Sequence, residues 1–259
     1  MPAGLDVDPD GSDSFTGPGP YRFDPGEAAA LALARARVLE RLDQACRRVG
    51  RDSAEVQLVA VSKTVPPERL RAALAAGLGT FGENRVQEAI AKIDQVAGAA
   101  WHMVGPLQAN KARRAVGMFA VIESVDSLEL AARLDRVAAE VLPGRRLKVL
   151  LQVNVDADPA KSGFDPAALK AALPGILGLD HLEVRGLMTV GRLVDDPEAA
   201  RPTFAALRGL GESLRSADDR LGPGLSMGMS DDFEVAAEEG ATIVRVGRAL
   251  FGARPGAAG

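Results

Sequence analysis

Cysteine, histidine, tyrosine and lysine are all scarce in this chain, and each scarcity removes a class of function. The single cysteine, Cys46, excludes an internal disulfide framework and suits a reducing compartment. The two histidines, His102 and His181, stand far apart, so no zinc-ligand spacing exists and no metal site is expected. Aromatic residues make up 4% of the chain, the formal net charge is −4, and no dense Lys/Arg stripe with interleaved aromatics occurs, so the electrostatic footprint of a nucleic-acid binder is missing. The opening stretch "MPAGLDVDPDGSDSFTGPGPYRFDPG" has no apolar core of the kind a signal peptide or membrane span needs. Its Asp, Gly, Pro and Ser content leads us to expect a disordered tail over residues 1–26 on a cytoplasmic protein with no membrane partner. The only tyrosine, Tyr21, lies in that stretch.

Lysine is the most informative shortage. Six of the 31 basic residues are lysine: Lys63, Lys92, Lys111, Lys148, Lys161 and Lys170. Arginine serves a solvated surface as well as lysine does, but it cannot become a neutral amine nucleophile at physiological pH. Lys63 stands in "LVAVSKTVPP" (58–67), where a strand-like apolar run stops and two prolines begin. It is the first candidate for an amine that does chemistry.

What the chain has in quantity is hydrophobic residues, 47% of 259, enough to bury a sizeable core. Alanine, leucine and arginine alternate at helical spacing from Glu27 to about Val49. Short β-type runs then follow at "VQLVAVS" (56–62), "TFG" (80–82), "WHMVG" (101–105), "FAVIESV" (119–125), "LKVLLQVNV" (147–155), "LEVRGLMTV" (182–190), "GLSMG" (224–228) and "TIVRVG" (242–247). Between them lie helical patterns around 67–77, 84–97, 106–117, 127–141, 166–174, 197–216 and 231–240. Eight strands alternating with helices argue for parallel βαβ units closing into a single (β/α)8 TIM-type barrel over residues 27–254, with 255–259 a short flexible C-terminus. No G-x-G-x-x-G follows the first strand, as an open dinucleotide-binding sheet would require.

In such a barrel the C-terminal ends of the strands carry the site. Lys63, Asn84, His102, Met188 with Thr189, "SMGMS" (226–230) and "RVGR" (245–248) are then expected to converge. Loops after the last two strands commonly hold a phosphate on backbone N–H groups. Ser226, Gly228, Ser230, Gly247 and Arg248 suit that role, with Asp231 and Asp232 in a helical first turn. A desolvated strand-end lysine facing a phosphate cradle fits a phosphorylated aldehyde. Two chemistries meet that description: pyridoxal 5′-phosphate (PLP) held as a Schiff base, and a Schiff-base aldolase working on a sugar phosphate. His181 reads as a surface residue and Cys46 as a small buried hydrophobe.

Seven ordered blocks, "VSKTVPP", "FGENRVQEA", "WHMVGPLQANK", "IESVDS", "QVNVDADPAKSGF", "RGLMTVG" and "LSMGMSDDFEVAAEEGATIVRVGRALFGAR", together resemble the pyridoxal phosphate homeostasis protein (YggS/PROSC) family. The resemblance runs from the first helix to about Arg254. It implies a barrel of the alanine racemase N-terminal type, that is, PLP fold type III without the second domain. It implies that Lys63 carries the cofactor, that Asn84 and Met188 lie against it, and that Arg245 faces the pyridine nitrogen. Ser226, Met227, Gly228, Gly247 and Arg248 would hold the phosphate. One departure is Arg85, where the family frequently has an aromatic residue after the "GEN" triplet.

The implied function is a monomeric carrier or buffer of PLP in vitamin B6 and amino-acid homeostasis, with PLP-dependent apo-enzymes as partners. An arginine at the ring nitrogen disfavours its protonation and limits carbanion chemistry. A racemase of this fold type adds a tyrosine opposite the lysine from a second domain and partner subunit. Tyr21 is the only tyrosine here, and no second domain is expected after Arg254. The alternative is a weak PLP-dependent racemase or lyase using Lys63 with His102 as a rim acid/base.

Overall fold

The structure is a computed structural model that describes residues 23–192 and 194–252. Most of the expected N-terminal tail and the C-terminal stretch 255–259 lie outside the described residues. The first helix, α1 (Pro25–Arg48), starts two residues earlier than its periodicity predicts. Asp24 caps it, accepting the Gly26 N–H at 2.8 Å, and Pro25 occupies the first turn where its missing N–H costs nothing.

Eight parallel strands follow: β1 (Gln57–Val61), β2 (Thr80–Glu83), β3 (Ala100–Met103), β4 (Val121–Val125), β5 (Leu147–Gln152), β6 (Leu182–Met188), β7 (Gly224–Ser226) and β8 (Ile243–Val246). They close in chain order, with β8 pairing β1 in the register Val59↔Arg245. The connections carry α2 (Pro67–Ala75), α3 (Val86–Ile93), α4 (Ala112–Met118), α5 (Leu128–Val141), α6 (Pro166–Leu177), α7 (Arg201–Ala217) and α8 (Phe233–Glu238). A four-residue helix that the sequence pattern does not announce, α9 (Arg248–Phe251), follows β8. All eight predicted strands and the (β/α)8 barrel are present. Several strands end sooner than their apolar runs: Val104, Val153 and Thr189 lie just past the strand ends, each keeping one N–H bond to the neighbouring strand. In α6 the helix runs through Pro174 to Leu177, past the expected stop at 174.

With α9 so short, the eighth helical position of the ring is filled from the other end of the chain. α1 packs against α2, α8 and α9, burying Leu31, Val38, Leu42, Ala45 and Cys46 along one stripe. Burial also pushes the Cys46 thiol above its ordinary value, as expected of an inert hydrophobe. Arginines clamp this seam. Arg41 pairs with Glu234 at 2.6 Å and lies 4.7 Å from the Phe233 ring centroid, while Arg48 pairs with Glu238 at 2.6 Å. Arg201 meets Glu198, Glu238 and Glu239 at 2.8, 2.6 and 2.9 Å. Such forked contacts explain why the chain spends its positive charge on guanidinium.

The strands bury side chains on both faces. One apolar cluster joins them to the helices, whereas Val59, Val104, Leu150 and Met188 are buried apart from it, on the inward face. A connected set of polar side chains occupies the middle of the barrel interior. Glu123 of β4 is 0% exposed and takes His102 Nδ1 on Oε1 at 2.6 Å. Its Oε2 accepts the Ser226 hydroxyl at 2.5 Å, and Ser226 Oγ in turn accepts Arg245 Nη1 at 2.5 Å. Arg245 Nη2 donates to the Thr189 carbonyl at 2.7 Å. Burial alone would push the Glu123 carboxyl up, but His102, Arg245 and Ser226 outweigh it and hold the group below the usual glutamate range. Burial lowers Arg245, and Glu123 and Asp232 raise it in return, which leaves a guanidinium that is still charged.

Two tests follow from this packing. Asp24→Ala is expected to cost about 1 kcal/mol through the lost cap, read as a lower midpoint in urea. Glu123→Gln is expected to cost about 3 kcal/mol at pH 7, because Arg245 and His102 lose their charged partner. The folded value of Glu123 lies below its unfolded one, so its contribution is complete above the ordinary glutamate value of about 4.3 and lost as pH falls through the lower folded value. Urea unfolding from pH 6 to pH 3 should therefore show a shallower acid decline in the variant than in the parent. Equal slopes would mean that Glu123 is not held ionised.

Candidate functional site

The chain leaves β1 at Val61 and turns sharply. Ser62 N–H bonds the Gly82 carbonyl of β2 at 2.9 Å, and Val65 N–H donates back to the Ser62 carbonyl at 2.9 Å. Lys63 and Thr64 are therefore the two central residues of a tight turn. Thr64 has φ 65°, in the left-handed region that a β-branched residue adopts only at a cost. Lys63 is partly buried and shares a 140 Å³ cavity with Thr64, Arg69, Gly247, Arg248 and Phe251 at the C-terminal ends of the strands.

The start of α9 forms part of that cavity's wall, and the loop after β7 is bonded to it. Ser230 Oγ accepts the N–H groups of Gly247 and Ala249 at 3.1 and 3.3 Å. Arg248 is exposed and bonded to Asp231. Gly228 has φ 90°, and a Cβ there would come within 2.5 Å of Ala236 Cβ, so glycine is what lets α8 approach this loop. Asp231 and Asp232 precede α8 rather than forming its first turn. Asp232 spends its carboxylate on the Met229 N–H at 2.6 Å, and burial pushes that carboxyl up while the Met229 bond and Arg245 pull it back.

The predicted residues thus divide. Lys63, Gly247 and Arg248 share one cavity. Arg245 and Met188 face the barrel interior below it. Ser226 does too: its β7 position, paired with Met188, commits the hydroxyl to Glu123 and Arg245, so the serine that meets the Gly247 N–H is Ser230. Met227 alternates outward into the helix-facing core, leaving only its backbone to the mouth. Asn84 is partly buried and lines a separate 510 Å³ cavity with exposed Arg85, Pro106, Gln108 and Lys111.

His102 is the clear correction. Expected at the rim, it is 3% exposed inside the barrel, because the register His102↔Gly82 and His102↔Val121 turns it inward. It lines a 440 Å³ cavity with Gln57, Val121, Lys148 and Ile243 at the N-terminal ends of the strands, opposite the Lys63 cavity. A 620 Å³ cavity also lies at that end, and none of the predicted residues lines it.

Four buried polar neighbours of the predicted residues are not singled out by the sequence: Glu123, Ser62, Glu83 and Lys92. Lys92 of α3 is buried and donates to Glu83 Oε1 at 2.7 Å and to the Ser62 carbonyl at 2.9 Å. Ser62 Oγ donates to the same Glu83 oxygen at 2.7 Å. Burial pushes the Glu83 carboxyl up, and Lys92 and Ser62 pull it back. Glu83 Oε2 has no hydrogen-bond partner among the described residues. The available signals are charges inside apolar runs, Glu123 in "VIESV" and Glu83 ending "TFGE", together with Lys92 at the i+3 and i+6 spacing of buried Val86 and Ala89.

Comparison with known proteins meets this geometry from outside. Residues 37–255 match the family described as alanine racemase, N-terminal domain. A pyridoxal phosphate homeostasis protein of Aquifex aeolicus is 42% identical over 221 residues, 84% of this chain and 96% of the relative. That of Pseudomonas aeruginosa is 45% identical over 221 residues, covering 85% and 94%. PipY of Synechococcus elongatus, solved with PLP bound, aligns with TM-score 0.75 at 43% identity, covering 87% of this chain and 100% of its own. Alanine racemase of Clostridium difficile, at 14% identity and TM-score 0.66 over 85% of this chain and 60% of its own, shares the fold alone. With the identities, the coverage and the strand-end lysine in agreement, this chain belongs to the pyridoxal phosphate homeostasis protein family, whose barrel is of the alanine racemase N-terminal type.

Proposed function

We propose that this chain binds pyridoxal 5′-phosphate on Lys63 and stores or delivers it, serving vitamin B6 and amino-acid homeostasis. The observation that carries the reading is the single cavity lined by Lys63, Gly247 and Arg248 at the strand C-termini. Its surroundings suit the cofactor: the Lys63 amine, Gly247 and the Arg248 guanidinium line it, and the Ser230 hydroxyl and the Ala249 N–H adjoin Gly247 just beyond. The relatives known as pyridoxal phosphate homeostasis proteins and the PLP-bound PipY structure support it independently.

When bound, the cofactor supplies an aldehyde able to close a Schiff base with an amine, and a ring able to withdraw electrons. Lys63 offers the amine from a fixed turn. The Gly247 and Ala249 N–H groups, which Ser230 Oγ now accepts, and the Arg248 guanidinium, now on Asp231, would be the donors to hold the cofactor's phosphate, with the Ser230 hydroxyl free to add one more. Arg245, anchored on Ser226 and the Thr189 carbonyl, keeps a positive charge where the resemblance puts the pyridine nitrogen, which disfavours a proton there. The resemblance adds Asn84, which lines the neighbouring cavity, and Met188, buried in the interior below, to the cofactor surroundings. His102 turns its Nδ1 to Glu123 and lines the opposite end of the barrel, so the racemase or lyase alternative lacks its second acid/base. The reading we favour is therefore a carrier, a monomer acting in the cytoplasm with PLP-dependent apo-enzymes as acceptors. Among the described residues no helix is long and apolar enough to cross a membrane.

The test is the visible absorption spectrum with added PLP. The parent should develop a band above 400 nm, fixed by borohydride as an adduct on Lys63, and Lys63→Ala should not. Absence of the band in the parent at saturating cofactor would end this reading. Arg248→Ala should weaken retention by about 1 kcal/mol, roughly fivefold, since the arginine is exposed and already paired. Unchanged retention in equilibrium dialysis would put Arg248 outside the phosphate cradle.

A further inference from the structure

The turn that presents Lys63 is held from behind by a buried charge. Its one internal bond, Val65 N–H to the Ser62 carbonyl, is 2.9 Å long and spans the left-handed Thr64. A backbone conformation of that kind persists only where surrounding contacts over-determine it. The second donor on the same carbonyl is the Lys92 ammonium at 2.9 Å. Glu83 closes the arrangement, joining Lys92 and the Ser62 hydroxyl on one oxygen, each at 2.7 Å. The residue next to Lys63 is thus gripped at both its carbonyl and its side chain.

Lys92 occupies the buried stripe of α3 with Val86 and Ala89, where an apolar side chain would pack without desolvating a charge. A buried ion pair is weak evidence for stability, since well-packed hydrophobic residues of similar volume often do as well. What an apolar residue cannot do is donate to the Ser62 carbonyl. We propose that Lys92 is a positioning residue for Lys63: its ammonium, neutralised by Glu83, clamps the Ser62 carbonyl and fixes the turn from which the Lys63 amine reaches its cavity. The proposal rests on the reading of Lys63 as the amine that links the cofactor.

The experiment compares two ligands on the full chain: PLP, and the analogue bearing an alcohol in place of the aldehyde, which keeps ring and phosphate but cannot react with an amine. In Lys92→Met, PLP affinity and the rate of borohydride-fixed adduct formation on Lys63 should each fall about tenfold, while affinity for the alcohol analogue stays within about twofold. A general loosening of the fold would weaken both ligands alike, and that result, or no change for either, would overturn the proposal. Should Lys92→Met fail to fold, Lys92→Met/Glu83→Gln leaves no unpaired buried charge and should show the same selective loss. If the parent binds PLP without an adduct on Lys63, the functional reading itself falls, and the positioning role falls with it. A parent adduct with an unselective variant sinks only the role of Lys92.

Discussion

A carboxylate buried at the centre of a barrel must be surrounded by donors, and Glu123 sets that demand here. It is met from three directions, by His102 on β3, Ser226 on β7 and the charge of Arg245 on β8, with Arg245 tied onward to the Thr189 carbonyl just past β6. Five neighbourhoods of the closed sheet are therefore held by one chain of polar contacts in a space that shields none of them. Arg245 gains a fixed direction from this. Its guanidinium is held by two acceptors on one edge, so the charge it presents below the Lys63 cavity cannot swing away. The same demand explains why Ser226 and His102, both attractive as site residues in the sequence, are absorbed into the interior.

The division of labour between arginine and lysine has a physical basis in the same terms. Arginines cross-link the outer ring, where a planar fork meets two or three carboxylates, as Arg201 does with Glu198, Glu238 and Glu239. Those hydrogen bonds raise its already high proton affinity further. Lys92 instead sits between one carboxylate oxygen and one backbone carbonyl in a buried gap, a place for a compact ammonium rather than a broad guanidinium. Lys63 is the other special case, a partly buried amine on a strained turn. Two of the six lysines thus have placements that arginine could not take over unchanged.

How much of this was legible in the sequence depended on the range of each interaction. Strands covered on both faces read as continuous apolar runs, so all eight were visible. Their C-terminal limits were not, because β-branched residues continue into the mouth loops, as in "VNV" (153–155) after β5. Lys63, Gly247 and Arg248 were found because strand ends of a barrel converge on one face. The interior was not found. His102 and Glu123 are 21 residues apart, and Glu123 and Ser226 are 103 apart, so nothing local to "WHM", "IES" or "LSM" announces that they pair. Placing His102 at the rim was an error of register: its strand was right, and its depth within the barrel follows only from the pairing with Gly82 and Val121.

A carrier has to hold a reactive aldehyde without committing to it, and the two halves of the proposed site suit opposite sides of that requirement. The amine half is rigid: Lys63 leaves a turn pinned by its own bond and by a neighbouring buried ammonium. The anion half is already satisfied within the protein, by Ser230 on two N–H groups and by Asp231 on Arg248. In the proposed site each phosphate contact would replace an existing contact, and the net gain would be smaller than the gross strength of the new bonds. Affinity is moderated by these internal substitutes, while the direction of approach to Lys63 is fixed by the turn. The imidazole that a racemase or lyase reading would draw on is committed deep in the barrel to Glu123. Holding and releasing a cofactor requires only what the mouth supplies.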